Sequence, residues 1–327
     1  MRRREFLRQS AAGATALSIL GRGFLSAADA EKAAKVALVK TEDRARGVAE
    51  AMKLIAFPPP RGKKVLIKPN FNTSDPAPGS TDNATLRQLV LEMKARGATR
   101  VTVGERSGPP PTASVIEAKG IPALAQEVGF DVVNFEDLPE EGWVHFNPPG
   151  SHWQNGFDVA RPVAEAEYLV WTCCLKTHGF GGIFSMSLKL AVGTTHKRLM
   201  QELHGARQTH MRRMIAEIHQ AFKPHVILMD GVDAFVDGGP SKGKLVKAGV
   251  IVAGTDRVAV DAVGLAVLKQ LGSNDAIMST RIFDQEQIQR AVELGLGVGK
   301  PDQIEIVTAD AESRAYGDVL RKILAEG

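Results

Sequence analysis

The chain has 327 residues, 41 Lys and Arg against 37 Asp and Glu, 44% hydrophobic residues and a mean hydropathy of −0.09. This length and apolar fraction suit a folded domain with a full core and argue against a disordered chain. Cys173 and Cys174 are the only cysteines and are adjacent, which excludes a disulfide framework, four-cysteine iron–sulfur ligation and a C-x-x-C-H haem attachment.

The first element in chain order is a targeting signal. Arg3-Arg4-Glu5-Phe6-Leu7-Arg8 has the form of a twin-arginine motif, Ala11–Leu25 is weakly apolar, and Ala28-Asp29-Ala30 is a small-x-small cleavage site. Residues 1–30 therefore read as a signal peptide for the twin-arginine translocation machinery, cut after Ala30, with residues 31–327 as one α/β domain working in the periplasm or otherwise outside the cytoplasm. A permanent membrane span is not expected, because the apolar stretch is short and carries Arg22. Five arginines and two carboxylates leave with the leader, so 36 basic and 35 acidic residues remain and the charge falls from +4 to +1. A nucleic-acid partner loses its main support. Export of a folded chain would let a metal or cofactor be installed before the protein leaves the cytoplasm.

Beyond Glu31, short β-rich runs alternate with helical patterns, which predicts a mostly parallel sheet with helices on both faces, Rossmann-like in organisation. Strands are expected at Val36–Val39, Lys64–Lys68, Arg100–Val103, Asp131–Phe135, Glu167–Leu175, Val226–Met229, Val250–Ala253 and Ile304–Val307. Helices are expected at Arg44–Ile55, from Thr81 or Asp82 to Arg96, around residues 113–119 and 122–128, in Arg198–Phe222, at Arg257–Gln270, and near 285–294 and 316–324. The stretch Leu138–Gly156, rich in Pro, Gly and Asn with two tryptophans, reads as an excursion or lid. On a strand, the side chains of Cys173 and Cys174 point to opposite faces and read as two buried thiols.

Ligands of an open α/β sheet sit at the carboxyl ends of its strands, and the polar residues of this chain collect there. Lys68 and Asn70, Glu105, Lys176 and His178, Asp230 with Asp233, and Asp256 each follow an expected strand. Gly179–Gly182 offers backbone N–H groups to an anion, with Lys176 and Lys189 supplying charge. No G-x-x-x-x-G-K-[ST] occurs and no G-x-G-x-x-G follows the first strand, so the nucleotide fingerprints are missing. Nor is there a G-x-S-x-G elbow for a serine hydrolase. Six of the eight histidines lie between His178 and His225, and with Asp230, Asp233 and Asp256 they are candidate ligands for a divalent metal. Asp256 is equally placed to cap the helix that follows it.

Lys68-Pro69-Asn70, Lys176-Thr177-His178, Ser187-Leu188-Lys189, His204, Asp230 with Gly239-Pro240, Ala253–Asp256 and Asp261-Ala262 occur in an order that resembles the domain of unknown function 362 family, over about Val36–Ile306. Family members commonly read Lys-Asn where this chain has Lys189-Leu190, and some carry a cysteine-rich ferredoxin-like segment that is absent here. The resemblance implies an α/β fold with a polar cleft built from the matched residues.

The expected function is binding of a small anionic molecule by Lys68, Asn70, Lys176 and Lys189, with His178, His204 and Asp230 as acid–base groups and Asp230, Asp233 and Asp256 holding a divalent metal for hydrolytic or acid–base chemistry. The alternative is a non-catalytic ligand- or metal-binding maturation protein serving a periplasmic redox partner.

Overall fold

A computed structural model describes residues 33–206 and 209–327. The signal peptide read at residues 1–30 lies outside the described residues. No helix among them is long and apolar enough to cross a membrane.

Eleven strands are formed: β1 (Ala34–Lys40), β2 (Lys64–Lys68), β3 (Arg100–Glu105), β4 (Asp131–Asn134), β5 (Trp143–Phe146), β6 (Phe157–Ala160), β7 (Tyr168–His178), β8 (Ile183–Phe184), β9 (Val226–Gly238), β10 (Gly243–Gly254) and β11 (Ile304–Val307). The main sheet has the order β11-β1-β10-β9-β7-β2-β3-β4, with β8 attached to β7. All its neighbours from β9 to β4 are parallel, β1 and β11 are parallel to each other, and β10 runs antiparallel to both β1 and β9. A mostly parallel mixed α/β sheet is therefore the fold.

Parallel strands are covered on both faces, and the side-chain alternation shows how. Val65, Ile67, Tyr168 and Val170 pack into one core with Val48, Leu86 and Leu89. Leu66, Leu169, Trp171, Cys173 and Leu175 pack into the other with Val260, Val263 and Leu268. The helices Arg44–Leu54 and Asn83–Ala95 cover the first face, and Arg257–Gln270 covers the second. Each begins at an Asp whose carboxylate accepts a first-turn N–H: Asp43 from Arg46 (3.0 Å), Asp82 from Ala84 (2.8 Å) and Asp256 from Val258 (2.9 Å).

Two expected elements take a different form. The helical stretch Arg198–Phe222 is broken into 3-10 turns and the short helices Met200–Gly205 and Met211–Glu217. Leu138–Gly156 contains β5, which pairs antiparallel with β6, and is pinned along its length. Trp143 and Trp153 are buried, the Trp153 indole N–H donates to the Met214 carbonyl (3.1 Å), and the buried Glu217 carboxylate accepts from the Ser151 hydroxyl (3.0 Å) and the His152 N–H (2.8 Å).

Between β2 and β7 the chain changes direction across the sheet: β3 and β4 follow on one side of β2, while β7 and β9 follow on the other. Such a switch point opens a crevice at the strand carboxyl ends.

Candidate functional site

A cavity of about 830 Å³ occupies that crevice. Its wall includes Lys68 and Asn70 beyond β2, Glu105 and Arg106 beyond β3, Cys173, Cys174 and His178 of β7, Lys189 of the short helix Ser187–Leu190, His204, and the turn Gly238–Lys242. Met186, Leu190, Val192, Met200 and Phe180 supply apolar surface. Five cations line it, Lys68, Arg106, Lys189, Lys197 and Lys242, against Glu105 as the single lining carboxylate. Lys68, Arg106 and Lys189 are buried, Lys197 is half-buried and Lys242 is exposed, and this surplus of positive charge beside apolar surface favours an anionic ligand.

Most of these cations already have partners. The Lys68 ammonium is buried against the Glu105 carboxylate and donates to the Pro69 carbonyl (2.7 Å). Glu105 also accepts the Phe71 N–H (2.6 Å) and the Arg106 N–H (2.8 Å), so its acceptors are occupied by its own neighbourhood. Burial pushes the Lys68 pKa down and the Glu105 pKa up, and their contact opposes both shifts. The Arg106 guanidinium donates to the carbonyls of Thr195 (3.0 Å), Ser107 (3.0 Å) and Val192, and burial brings its pKa down to about 10. Lys197 donates to Glu136 (2.6 Å).

Lys189 differs. It is 9% exposed, it lines the cavity, and its ammonium has no hydrogen-bond partner among the described residues. Burial, then the nearby charges of Arg106 and Lys176, lower its pKa to about 8. Its position is fixed from behind. Asp261, buried on the helix Arg257–Gln270, accepts the N–H groups of Ser187 (2.7 Å) and Leu188 (2.9 Å), and the His219 ring N–H donates to the Leu188 carbonyl (2.8 Å). Desolvation raises the Asp261 pKa to about 7 against the pull of those two N–H groups.

The two cavity histidines present opposite faces of imidazole chemistry. His178 Nδ1 accepts the Gly182 N–H (3.3 Å), which leaves the proton of the neutral ring on Nε2. Burial, helped by Lys189, Lys176 and His204, holds its pKa well below the usual value, so the ring is neutral. His204, an exposed residue, donates from Nδ1 to the Met200 carbonyl (2.7 Å), so in the neutral ring the lone pair lies on Nε2. The loop between β7 and β8 is held by Gln287 and Arg212, which donate to the carbonyls of Gly182 (2.8 Å) and Gly181 (3.0 Å). Its packing requires glycine at 182, where an added Cβ would fall 2.8 Å from Lys189 Cε and 2.9 Å from His178 Nδ1. Ile183 follows at φ +65°, a strained value for a β-branched residue, and Phe180 stands 65% exposed at the rim.

Of the residues singled out from the sequence, Lys68, Asn70, Lys189, His178 and His204 meet at this cavity. Lys176 does not line it. Its side chain is fully buried and its ammonium donates to the Gly79 carbonyl (2.6 Å), leaving it as a charge behind the wall. The expected metal ligands lie elsewhere. Strand β9 does not stop at Asp230 but continues to Gly238, and the pairing with β7 jumps from Cys174↔Asp230 to Leu175↔Ala234, so Gly231–Asp233 form a bulge. The Arg44 guanidinium lies under that bulge, binding Asp230 (2.8 Å) and Asp233 (2.7 Å), while Thr85 donates to Asp230 (2.6 Å) and Lys247 pairs with Asp233 (2.7 Å). Asp256 caps its helix through Val258 and Ala259 and accepts the Val298 N–H (2.9 Å). Asp230, expected as an acid–base group, is thus paired and does not line the cavity. Among the described residues no group of three or more His, Cys, Asp and Glu is placed to hold a metal ion.

Arg106 was not picked out from the sequence, although it directly follows the strand-end Glu105 that was. Gly193 was also missed: an added Cβ there would lie 2.8 Å from Lys68 Nζ and 2.9 Å from Glu105 Oε1, so the ion pair requires its bare backbone.

Comparison with curated proteins gives no match. Among solved structures, the lactate racemase apoprotein from Thermoanaerobacterium thermosaccharolyticum is similar over 69% of this chain and 54% of its own, with 15% identity and a TM-score of 0.46. This chain thus spans about half of that protein. The sequence model described as Domain of unknown function (DUF362) matches residues 65–266, a stretch that contains every residue of the cavity wall, and the chain belongs to that family.

Proposed function

We propose that this protein binds a small anionic molecule in the cavity between β2 and β7 and performs acid–base chemistry on it. The observation that carries the proposal is the unused hydrogen-bonding capacity there: the Lys189 ammonium, the Nε2–H of His178 and the Nε2 lone pair of His204 all belong to one cation-rich wall. Lys189 and His178 are buried, where polar groups are normally paired, while His204 stands exposed at the mouth, and an anion with one exchangeable proton would bond to all three. Lys189 binds its charge, His178 donates a hydrogen bond to an oxygen where negative charge develops, and His204 takes or returns the proton. The apolar residues around them strengthen each contact by excluding water. The three aspartates have no part in this chemistry, and no metal is assigned a place in it.

Calorimetric titration with inorganic phosphate and with oxalate tests the binding half. Both are expected to bind, with affinity reduced about tenfold or more in Lys189→Met. Absence of binding by either anion would end the reading. A turnover screen over carboxylates and phosphoesters separates an enzyme from a carrier, since turnover abolished in His204→Ala is not expected of a passive binding protein.

Export belongs to the same proposal. The motif at Arg3-Arg4 supports passage through the twin-arginine machinery to the periplasm. Replacing both arginines by lysine should leave the chain full-length in the cytoplasm, and unchanged localisation would remove this part.

A further inference from the structure

The Lys189 side chain has a feature that anion binding alone does not require. The residue is nine-tenths buried, and its ammonium, on the wall of a cavity roomy enough for a small metabolite, has no hydrogen-bond acceptor among the described residues. A lysine whose only task is to attract an anion works well on a flexible, solvated stem. A desolvated lysine among other cations is instead the arrangement that yields a free amine, a nucleophile toward carbonyl carbon. Here the pKa near 8, set by burial and by Arg106 and Lys176, leaves an appreciable fraction of the amine unprotonated near neutral pH. Backbone anchoring of Ser187 and Leu188 by Asp261 aims the stem, and the bare Gly182 backbone gives its terminal carbons room beside His178.

We infer that Lys189 forms an imine with the carbonyl group of an anionic aldehyde or ketone bound in this cavity. This rests on the anion-binding reading above and adds the substrate class to it. The unprotonated amine attacks the carbonyl carbon, forming the C–N bond while the carbonyl π electrons move to oxygen. The Nε2–H of His178 hydrogen-bonds that oxygen. His204 Nε2 relays the two amine protons to it in turn, and the oxygen leaves as water as the C=N bond closes. No oxidant or reductant enters. The imine withdraws electrons from the adjacent carbon, and His204 is then placed to remove a proton from it. The positive field of the remaining lining cations attracts the carboxylate or phosphate and so orients the carbonyl.

Borohydride trapping of the purified wild-type protein tests this without a variant. Glyoxylate is the carboxylate probe, glycolaldehyde phosphate the phosphate probe and acetaldehyde the neutral control, each reduced in place and mapped by tryptic peptide mass. The expected result is one dominant modification at Lys189 with at least one anionic probe, seen as blocked cleavage and a modified Thr177–Lys197 peptide, and suppressed by excess inorganic phosphate. The more reactive probe identifies the anionic group. Lys189→Arg, which keeps the charge but forms no imine, should lose the modification. Modification spread over surface lysines, or absent at 189 while phosphate still binds, overturns the imine and leaves the anion-binding reading standing. Equal labelling by acetaldehyde overturns the requirement for an anionic substrate. If neither phosphate binding nor trapping occurs, both readings fall.

Discussion

Two polar clusters lie along this sheet, and they differ in how completely they are paired. Under the bulge of β9, Arg44 meets Asp230 and Asp233, and Thr85 and Lys247 supply further contacts to the two carboxylates. At the switch point the arrangement is reversed: cations outnumber the one lining carboxylate, and Lys189 and both histidines keep an atom open to the cavity. Both clusters contain the residue types expected of a functional site. The difference teaches that unpaired capacity, rather than charge or burial, separates a site from a structural ion pair.

The largest expected effect breaks the paired cluster. Arg44→Met leaves two buried carboxylates without their shared partner, which should cost about 3 kcal/mol or more in denaturant unfolding. Phosphate affinity of the folded variant should stay unchanged. If instead affinity collapses while stability holds, the two clusters have been assigned the wrong way round.

Next in size is a pH effect at the unpaired cluster. The Lys189 pKa is lowered to about 8 in the folded protein from an ordinary 10.5, so between those values the unfolded chain holds a proton that the native chain has released. Stability should therefore rise as pH climbs from about 8 to about 10.5, by at most about 3 kcal/mol from this group. Lys68 and Lys176 also have lowered pKa values, which makes the difference between wild type and Lys189→Met the informative quantity. That difference should shrink when phosphate fills the cavity, because a bound anion stabilises the protonated amine. A pH-independent difference would mean that Lys189 is better solvated than its burial indicates.

Much of the fold was legible because parallel strands leave continuous apolar runs and several helices begin at Asp or Asn caps. Lys68, Glu105 and His178 were legible for a related reason: a polar residue that ends such a run must emerge at the carboxyl edge. The same rule misplaced Asp230 and Asp233, since a strand interrupted by a bulge looks finished in the sequence while its pairing resumes at Ala234. Lys176 shares its strand face with His178 yet stops two residues deeper, where the Gly79 carbonyl receives it. The third N–H bonded to Asp256 is that of Val298, 42 positions away, and no local pattern announces it. The link between Lys189 and Asp261 is visible only in three dimensions, where the carboxylate of one holds the backbone that presents the other.

The smallest effect sharpens the comparison within the cavity itself, through two glycines of different surroundings. In Gly182→Ala the new methyl falls against Lys189 Cε and the His178 ring, and the flexible lysine end can yield more readily than the imidazole. The ring must turn, weakening its bond from the Gly182 N–H, so phosphate affinity should fall several-fold for about 1 kcal/mol of stability. Gly205, one residue beyond His204, has nothing within 4 Å of an added Cβ and lies at the end of its helix. Gly205→Ala should leave affinity unchanged and stabilise slightly, by about 0.5 kcal/mol, through reduced freedom of the unfolded chain. Equal losses of affinity in the two variants would mean that the rim tolerates no change at all. The contrast expected here instead isolates the contact among Gly182, His178 and Lys189 as the feature that sets the cavity's geometry.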